Sequence, residues 1–313
     1  MPDVITIGSS LVDIFIRSPK FAVKKTAKSK QFAVEGDKVE MEEMQVFSGG
    51  GGTNTAVGLS RLGFQVSLIS ETGKDNFSHI VLAELKSEGV DTSLVVGERK
   101  ENTGGSVILV AEDGQRTALI HRGASSMLDP YDISPFGIGQ ARWVHLTNIA
   151  GRLDTLRKIF ELVKKNPQTN MSWNPGKQEL ALIAEGKLKV DEIPAKVLII
   201  NEEEWELVKE KQAELIKEIP EIVVTQGKKG GFVYEHGKKS IKFMASGAKA
   251  LESTGAGDAF CSGYAAGQIL GKPVRVCVEW GVRNAGSVVQ HFGAKQGLLR
   301  REAIAAPAHQ PSR

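Results

Sequence analysis

Residues 253–260 read Ser-Thr-Gly-Ala-Gly-Asp-Ala-Phe and combine a glycine turn with an acidic residue. Gly255 and Gly257 lack a Cβ, so the turn can be tight and can direct backbone N–H groups at a ligand. A helix-like run follows from Ala259 to Leu270, and its first turn adds unpaired N–H groups and the positive end of the helix dipole. These features predict a pocket for phosphate oxygens. Asp258 lies at its mouth, where the helix terminus favours the ionised carboxylate as a proton acceptor.

A helix that is capped by aspartate after a glycine turn would show the same residues without binding any ligand. Other parts of the sequence are therefore needed to choose between a phosphate pocket and a simple helix cap. One is Gly8-Ser9-Ser10-Leu11-Val12-Asp13, which follows the first predicted strand. Ligands of open α/β sheets bind at the carboxyl ends of strands, so Asp13 is placed to reach a substrate. A carboxylate accepts two hydroxyl hydrogen bonds, which suits a polyol. A turn or a helix cap formed by Asp13 explains the pattern equally well.

A run of four glycines, Gly49 to Gly52, lies between Ser48 and Thr53-Asn54. Four glycines cost backbone entropy, which indicates that something approaches the backbone closely. Asn54 offers both a donor and an acceptor to hydroxyl groups. The run comes too far along the chain to be a dinucleotide fingerprint. A flexible loop with a Thr/Asn cap is the alternative, and the periodic helix that begins directly after it favours binding.

Two further stretches follow predicted strands. Asn201-Glu202-Glu203-Glu204 starts a helix, where acidic residues are common because they complement the helix dipole. The functional interpretation is that Asn201 and Glu204 order Mg²⁺ through water, since Mg²⁺ prefers oxygen ligands and keeps part of its hydration shell. The segment from Thr225 to Gly231 offers a shelf of small residues for the phosphates and ribose of a nucleotide, although many turns look similar.

Short β-branched runs alternate with helix-like segments along most of the chain. This alternation predicts a mostly parallel sheet that is covered on both faces. The strands are expected at Val4–Ile7, Val66–Ile69, Val107–Val110, Trp143–Leu146, Val197–Ile200 and Ile222–Thr225, and the helices at 53–63, 76–88, 152–165, 202–218 and 273–290.

Residues 14–47 and 103–121 break the alternation. The second piece is expected to form a hairpin, Ser106–Ala111 and Thr117–His121, around a turn at 112–115. The two pieces can pair into a small sheet over the edge of the main domain. Another hairpin is expected at Gly231–Glu235 and Lys239–Phe243, and the tail 305–313 is expected to be disordered.

With these motifs in this order, the chain resembles the ribokinase-like (PfkB) family of carbohydrate kinases over residues 3–300. The resemblance rests on several matches, partly degenerate but in family order: G-x-x-x-x-D at 8–13, G-G-x-G-x-N at 49–54, Arg61-Leu62-Gly63, Gly73-Lys74-Asp75, Asn201 with Glu204, Thr225-x-Gly227-x-x-Gly230, and Thr254-Gly255-Ala256-Gly257-Asp258.

The resemblance implies one three-layer α/β/α domain over residues 1–304, with a mostly parallel sheet and a small β-sheet lid formed by 14–47 and 103–121. It implies transfer of the γ-phosphoryl group of ATP to a substrate hydroxyl, with ATP and Mg²⁺ required. Phosphoryl transfer needs mainly positioning and charge neutralisation, which such a site provides. The implied residues are Asp258 as general base; Gly255, Ala256 and Gly257 as the anion hole; Asp13, Gly49, Gly50 and Asn54 for the substrate; Asn201, Thr225, Gly227, Gly230 and Asn284 for the nucleotide; and Glu204 with Asn201 for Mg²⁺.

Three departures from the family pattern leave the substrate and one ion open. Glu252 stands where the family usually has Asp, at a position that, with Thr254, would hold a monovalent cation, so activation by potassium is undecided. Gly51 stands where ribose-specific members typically have Lys. Trp173-Asn174-Pro175-Gly176 replaces the Asp-x-Asn of several sugar-acid and hexose kinases. A free sugar, a nucleoside and a phosphorylated sugar all remain candidate substrates.

Two other functions fit parts of the pattern. A catalytically silent sensor of sugars or nucleotides would have no need of Asp258 behind an intact Gly255-Ala256-Gly257. A dinucleotide-dependent oxidoreductase is disfavoured because no glycine fingerprint follows the first strand.

Composition sets broader limits. Among 313 residues the formal net charge is +3, which is too small to predict binding to nucleic acid. Two cysteines without C-x-x-C spacing favour a reducing compartment, and the N-terminal apolar residues are too interrupted for a signal peptide or a membrane span. We therefore expect a cytoplasmic protein without membrane partners.

A small lid with apolar residues on both faces needs cover on its outer face, which predicts a lid-to-lid homodimer.

Overall fold

The computed structural model describes residues 2–25, 30–34, 38–111 and 116–306. The strands in these ranges are β1 Val4–Ile7, β2 Leu11–Arg17, β3 Phe21–Lys25, β4 Lys30–Val34, β5 Glu43–Gly49, β6 Val66–Thr72, β7 Val95–Gly97, β8 Thr103–Val110, β9 Arg116–Gly123, β10 Trp143–Leu146, β11 Asn170–Trp173, β12 Val197–Asn201, β13 Glu221–Thr225, β14 Gly231–Glu235 and β15 Lys238–Phe243. The α-helices are α1 Gly51–Arg61, α2 Asn76–Ser87, α3 Pro135–Gln140, α4 Leu153–Lys165, α5 Lys177–Ala184, α6 Glu202–Leu207, α7 Gln212–Glu218, α8 Ala256–Ile269, α9 Val274–Val288 and α10 Arg301–Ala305.

The central sheet has the strand order β15-β14-β13-β12-β11-β10-β1-β6-β7. Neighbouring strands from β7 to β13 in this order run parallel. Strand β14 pairs antiparallel with β13, and β14 and β15 form the antiparallel hairpin predicted near residue 236. The carboxyl ends of the parallel strands therefore meet at one edge, where the motifs of the sequence are expected to converge.

Helices cover both faces of this sheet, and each strand supplies side chains to both because successive residues point in opposite directions. In β12, Leu198 and Ile200 enter a core shared with α3 to α7, whereas Val197 and Ile199 enter a core shared with α1, α2, α8, α9 and α10. The result is a three-layer α/β/α arrangement with a mostly parallel sheet. The predicted fold class is confirmed.

A separate sheet with the order β5-β2-β8-β9 forms the lid. Strands β2 and β8 pair in parallel, and the two outer strands pair antiparallel to them. Helix α2 packs against β2, β5 and β8, which attaches the lid to the main domain. The two lid pieces predicted from the sequence both contribute, and 14–47 also contains the antiparallel pair β3 and β4, which forms a separate two-stranded sheet.

Some predicted elements differ from the structure. The helix expected over 202–218 is interrupted by a 3-10 turn at Lys209–Lys211 and consists of α6 and α7. The run Val107–Val110 lies in β8 of the lid, as the predicted lid hairpin at 103–121 requires, although it also belongs to the β-branched runs that predicted the central sheet. The turn at 112–115 and residues 307–313 of the predicted tail lie outside the described residues, and Ala305 is the last residue of α10.

Both cysteines, Cys261 and Cys277, are buried thiols in α8 and α9. In the described ranges, no helix has the length and the apolar character to cross a membrane.

Candidate active site

Asp258 is the third residue of α8, and it is joined to the start of α1. The side-chain Nδ2 of Asn54 donates to Oδ2 of Asp258 at 2.7 Å. Burial raises the pKa of Asp258, while the hydrogen bond from Asn54 and the positive charge of Lys295 lower it less strongly. The helix terminus alone would lower the pKa of Asp258, and burial outweighs this effect, so the pKa is raised. A carboxylate with a raised pKa is a stronger proton acceptor near neutral pH.

Asp13 lies inside the lid strand β2 and not at the end of β1, where the sequence pattern places it. It is 7% exposed, and the hydroxyl of Ser106 in β8 donates to its Oδ1. Burial raises the pKa of Asp13, against the effects of Ser106 and Lys295. Any Cβ on Gly49 would lie 2.0 Å from Oδ2 of Asp13, so that glycine makes room for the carboxylate.

The glycine run packs against the loop that follows β1. Gly50 has φ of 99°, and a Cβ there would lie 2.4 Å from the backbone oxygen of Ser9. The close approach that the sequence pattern attributes to a ligand is thus made partly by the chain itself. Its effect is to start α1 at Gly51, which places Asn54 in the first turn. Asn54 is 4% exposed, and its Oδ1 has no hydrogen-bond partner among the described residues.

The turn before α8 is held in a left-handed conformation. Gly255 has φ of 77°, and a Cβ there would lie 2.5 Å from the Cβ of Ala294. A Cβ on Gly257, in contrast, would meet nothing within 4 Å. No side chain caps the helix, and Oε1 of the buried Glu252 accepts a hydrogen bond from the backbone N–H of Thr254 at 2.6 Å.

Asn201 and Glu204 form a reciprocal cap at the start of α6. Oδ1 of Asn201 accepts from the N–H of Glu204 at 2.9 Å, and Oε2 of Glu204 accepts from the N–H of Asn201 at 2.9 Å. Burial raises the pKa of Glu204. Asn201 is also paired with Thr225 across β12 and β13, so the two predicted nucleotide residues are neighbours.

The turn after β13 uses its two glycines differently. Gly230 has φ of 91°, and a Cβ there would lie 2.0 Å from the backbone oxygen of Phe243, so the hairpin itself requires this glycine. Gly227 has φ of 54°, and a Cβ there would meet nothing within 4 Å, which leaves its face open.

Asn284 does not have the environment that the sequence predicted for a purine-binding residue. Its side chain is fully buried. The amide nitrogen donates to the backbone oxygen of Ala259 and to Oγ of Ser262, and Oδ1 accepts from the N–H of Leu299. Both amide hydrogens are therefore used between α8, α9 and the following loop, and we remove Asn284 from the candidate nucleotide site.

Sequence reasoning missed Lys295, which lies in the loop after α9. Its side chain is 3% exposed, and its Nζ donates to the backbone oxygen of Ser48 at 2.9 Å and to the Ser48 hydroxyl. Nζ also lies 3.5 Å from Oε2 of Glu84. The available signal was a single lysine within the small-residue segment Gly293-Ala294-Lys295-Gln296-Gly297.

The architecture and this group of residues can be compared with known proteins. The sequence model of the pfkB family of carbohydrate kinases matches residues 1–300. The chain belongs to this family. The match extends over the central sheet, the lid and every candidate site residue described above.

Individual PfkB relatives are distant. An uncharacterized sugar kinase of Archaeoglobus fulgidus is 27% identical over 254 residues, which are 78% of this chain and 99% of the relative. A ribokinase of Staphylococcus aureus is 24% identical, over 96% of this chain and 98% of the relative. The relatives named as sugar kinases are phosphotransferases that use an alcohol group as acceptor.

Solved structures show the same fold. The nucleoside kinase of Methanocaldococcus jannaschii, described as an archaeal member of the ribokinase family, has a TM-score of 0.78 at 23% identity and covers 96% of each chain. The ribokinase of Arabidopsis thaliana, solved with ribose and ATP, has a TM-score of 0.75 at 22% identity and covers 97% of each chain.

Proposed function

We propose that this PfkB family member is an ATP-dependent kinase that transfers the γ-phosphoryl group to a hydroxyl of a sugar or a sugar-containing metabolite. The observation that carries the proposal is the hydrogen bond from Asn54 of α1 to Asp258 of α8, with Asp13 of the lid near enough for its charge to act on Asp258. The negative charge of Asp13 raises the pKa of Asp258, so the two carboxyl groups lie close enough for their charges to interact.

The three side chains suit a polyol substrate. Asp13 has one carboxylate oxygen bonded to Ser106, and the other is available to accept from a substrate hydroxyl. The buried Oδ1 of Asn54, which has no partner among the described residues, is a second acceptor. A buried acceptor without a partner is costly, and a substrate hydroxyl would remove that cost.

In the proposed reaction, Asp258 accepts the proton of the substrate hydroxyl as its oxygen bonds to the γ-phosphorus. The bond between that phosphorus and the bridging oxygen breaks, and ADP leaves with the electron pair. The proposed anion hole of Gly255, Ala256 and Gly257 would use the N-terminus of α8, where the helix dipole and first-turn N–H groups would stabilise the charge of the transferred group. In the structure, the N–H of Ala256 donates to the backbone oxygen of Ser253 at 3.3 Å.

The nucleotide and its metal would lie at the carboxyl ends of β12 and β13. Thr225, Gly227 and Gly230 border the proposed shelf. One oxygen of Glu204 is held in the cap with Asn201, and the other has no hydrogen-bond partner within the described ranges. The residues thus fit Mg²⁺ held through water, and the ion would neutralise charge on the phosphates. A monovalent cation beside Glu252 and Thr254 remains a prediction.

The acceptor substrate stays open between a free sugar, a nucleoside and a sugar phosphate. ATP consumption measured against a panel of all three classes tests the proposal directly. The alternative is a catalytically silent sensor, and it predicts that panel members bind without any ADP release. Calorimetric binding of a panel member together with no turnover would favour the sensor.

Replacing Asp13 by Ala should weaken substrate binding while nucleotide affinity stays nearly unchanged. The lost acceptor leaves a substrate hydroxyl without its partner, which costs about 1–3 kcal/mol. Titration of the acceptor and of ATP by calorimetry measures both. Loss of ATP binding with normal acceptor binding would place Asp13 on the wrong side of the site.

We also propose a homodimer formed through the outer face of the lid. Ile14 is paired with Val46 and Val107, and Val107 is paired with Leu119, so an apolar row crosses all four strands. Ile14 itself packs against the core of the main domain, and the surface that a partner could cover lies at the ends of the row. Val46 is 43% exposed and Leu119 is 58% exposed. A second copy of the same face would cover this row with identical residues, as two-fold symmetry requires.

Light scattering should give a dimer of the 33.8 kDa chain at micromolar concentration. Leu119→Lys should shift it to the monomer because each copy would place a charge in an apolar contact. Leu207 of α6, which is 47% exposed and far from the lid in sequence, provides the matched control Leu207→Lys. A fully active wild-type monomer would reject the dimer.

The predictions about other partners and about location remain predictions. Two buried thiols fit a reducing compartment, and a cytoplasmic location without nucleic-acid or membrane partners stays our expectation.

A further inference from the structure

Among the lysines and arginines whose side chains the structure describes, Lys295 is the one that is buried. An ammonium group out of water is unfavourable unless charges and hydrogen bonds compensate for the lost hydration. The two hydrogen bonds to Ser48 are with neutral oxygens, and the nearest carboxylate, Glu84, is at 3.5 Å and remains 27% exposed. Glu84 alone therefore gives an incomplete compensation for the charge.

The other charges that act on Lys295 belong to the proposed site. Burial lowers the pKa of Lys295, and Glu84, Asp13 and Asp258 raise it. The influence is mutual, because the charge of Lys295 lowers the pKa of both Asp13 and Asp258. The charge of Lys295 also lowers the pKa of Glu88, but Glu88 is paired with Arg61 at the C-terminal end of α1, whereas Asn54 lies in its first turn.

Ser48 connects Lys295 to the same residues by geometry. It is paired with Val12 in the lid ladder, one position from Asp13, and it directly precedes the glycine run that starts α1. Helix α1 then carries Asn54, which donates to Asp258. Through Ser48, the ammonium is thus linked to the segment that connects the lid strand β5 to α1.

Lys295 could have a purely structural role if its side chain were needed to hold the loop after α9 in place. The backbone of that loop, however, is already held by other contacts. Arg61 donates to the backbone oxygens of Lys295 and Leu298. Ala294 packs against Gly255. The loop is therefore held by contacts that do not involve the lysine side chain.

We propose that Lys295, held against Ser48, is a positioning residue whose ammonium charge favours the ionised form of Asp258 beside Asp13 in the buried site. This inference rests on the proposed function, because it takes Asp258 as the general base. In the free enzyme the charge of Lys295 offsets the repulsion between the two carboxylates. It thereby extends the range in which Asp258 can accept a proton toward lower pH.

The test compares Lys295→Met and Lys295→Gln, which remove the charge, with Lys295→Arg, which keeps it. The Gln variant retains a donor for Ser48 and serves where the Met variant does not fold. Two quantities are measured for each folded variant: the pKa of Asp258 by carbon NMR of labelled aspartate, with Asp258→Asn for assignment, and the acid limb of kcat/KM against pH.

We expect both neutral variants to raise the pKa of Asp258 by about one unit or more, because an attractive charge nearby has been removed. The acid limb of kcat/KM should move upward by the same amount, while Lys295→Arg stays near the wild type. Loss of stability with an unchanged pKa and an unchanged limb in a folded neutral variant would overturn the proposal.

Failure of the proposed function looks different. A wild-type protein that phosphorylates no member of the panel refutes the kinase activity. The NMR titration still answers the question about Lys295 in that case, because it needs no substrate.

Discussion

Asp258→Asn should lower turnover by roughly 10²–10⁴, the usual contribution of a positioned general base. An amide has nearly the same shape but cannot accept the proton of the attacking hydroxyl. Its oxygen can still accept the hydrogen bond that Asn54 donates to Oδ2. Burial raises the pKa of Asp258, so its charge is unfavourable in the folded state, but the same charge compensates that of the buried Lys295. Because these two effects oppose each other, the melting temperature should change little.

Steady-state kinetics and thermal unfolding of the same preparation measure both effects. Glu221 provides a matched control, because it is another buried carboxylate whose pKa burial raises, and it accepts hydrogen bonds from Tyr264 and Gln268 away from the site. Glu221→Gln should leave turnover within a few-fold of the wild type, because distant sites act independently. Turnover near normal in a folded Asp258→Asn protein would refute the base assignment.

The sequence predicted the fold class because its strand–helix alternation is regular and its strands are apolar throughout. The predicted strands Val4–Ile7, Trp143–Leu146 and Gly231–Glu235 have the observed bounds of β1, β10 and β14. The predicted bounds of β6, β12 and β13 differ from the observed ones by one to three residues at one end. The pattern at 202–218 predicts one helix, although Val208 is buried and ends α6 before the 3-10 turn. Periodicity alone does not reveal such a break.

Motifs next to strand ends could be assigned from the sequence, but their contacts could not. Asp13 and Ser106 are brought together by the parallel pairing of β2 and β8, which are separated by a long stretch of chain. Lys295 could not be recognised because its position depends on Ser48 and Glu84, which no local pattern connects to it. Asn284 is the opposite error, because the sequence assigned it to the nucleotide site. Its amide could bind a purine, but in the structure it makes its hydrogen bonds within the core.

Two alanine substitutions in the signature turn should separate the requirements of folding from those of phosphate binding. Gly255→Ala should lower the free energy of unfolding by roughly 2–4 kcal/mol, because Ala is strained at φ of 77° and its Cβ would lie 2.5 Å from that of Ala294. Turnover should fall as well, since the displaced turn carries the anion hole. Urea unfolding and kinetics measure these changes.

Gly257→Ala is the matched variant at the second residue of α8. A Cβ there has open space in the protein, and Ala favours a helix over Gly by about 1 kcal/mol, so stability should be unchanged or increased. If phosphate oxygens approach this backbone, the added methyl group obstructs them and turnover falls without loss of stability. A Gly257→Ala enzyme as active as the wild type would mean that no ligand comes close to Gly257, and the anion hole would have to lie elsewhere along the turn.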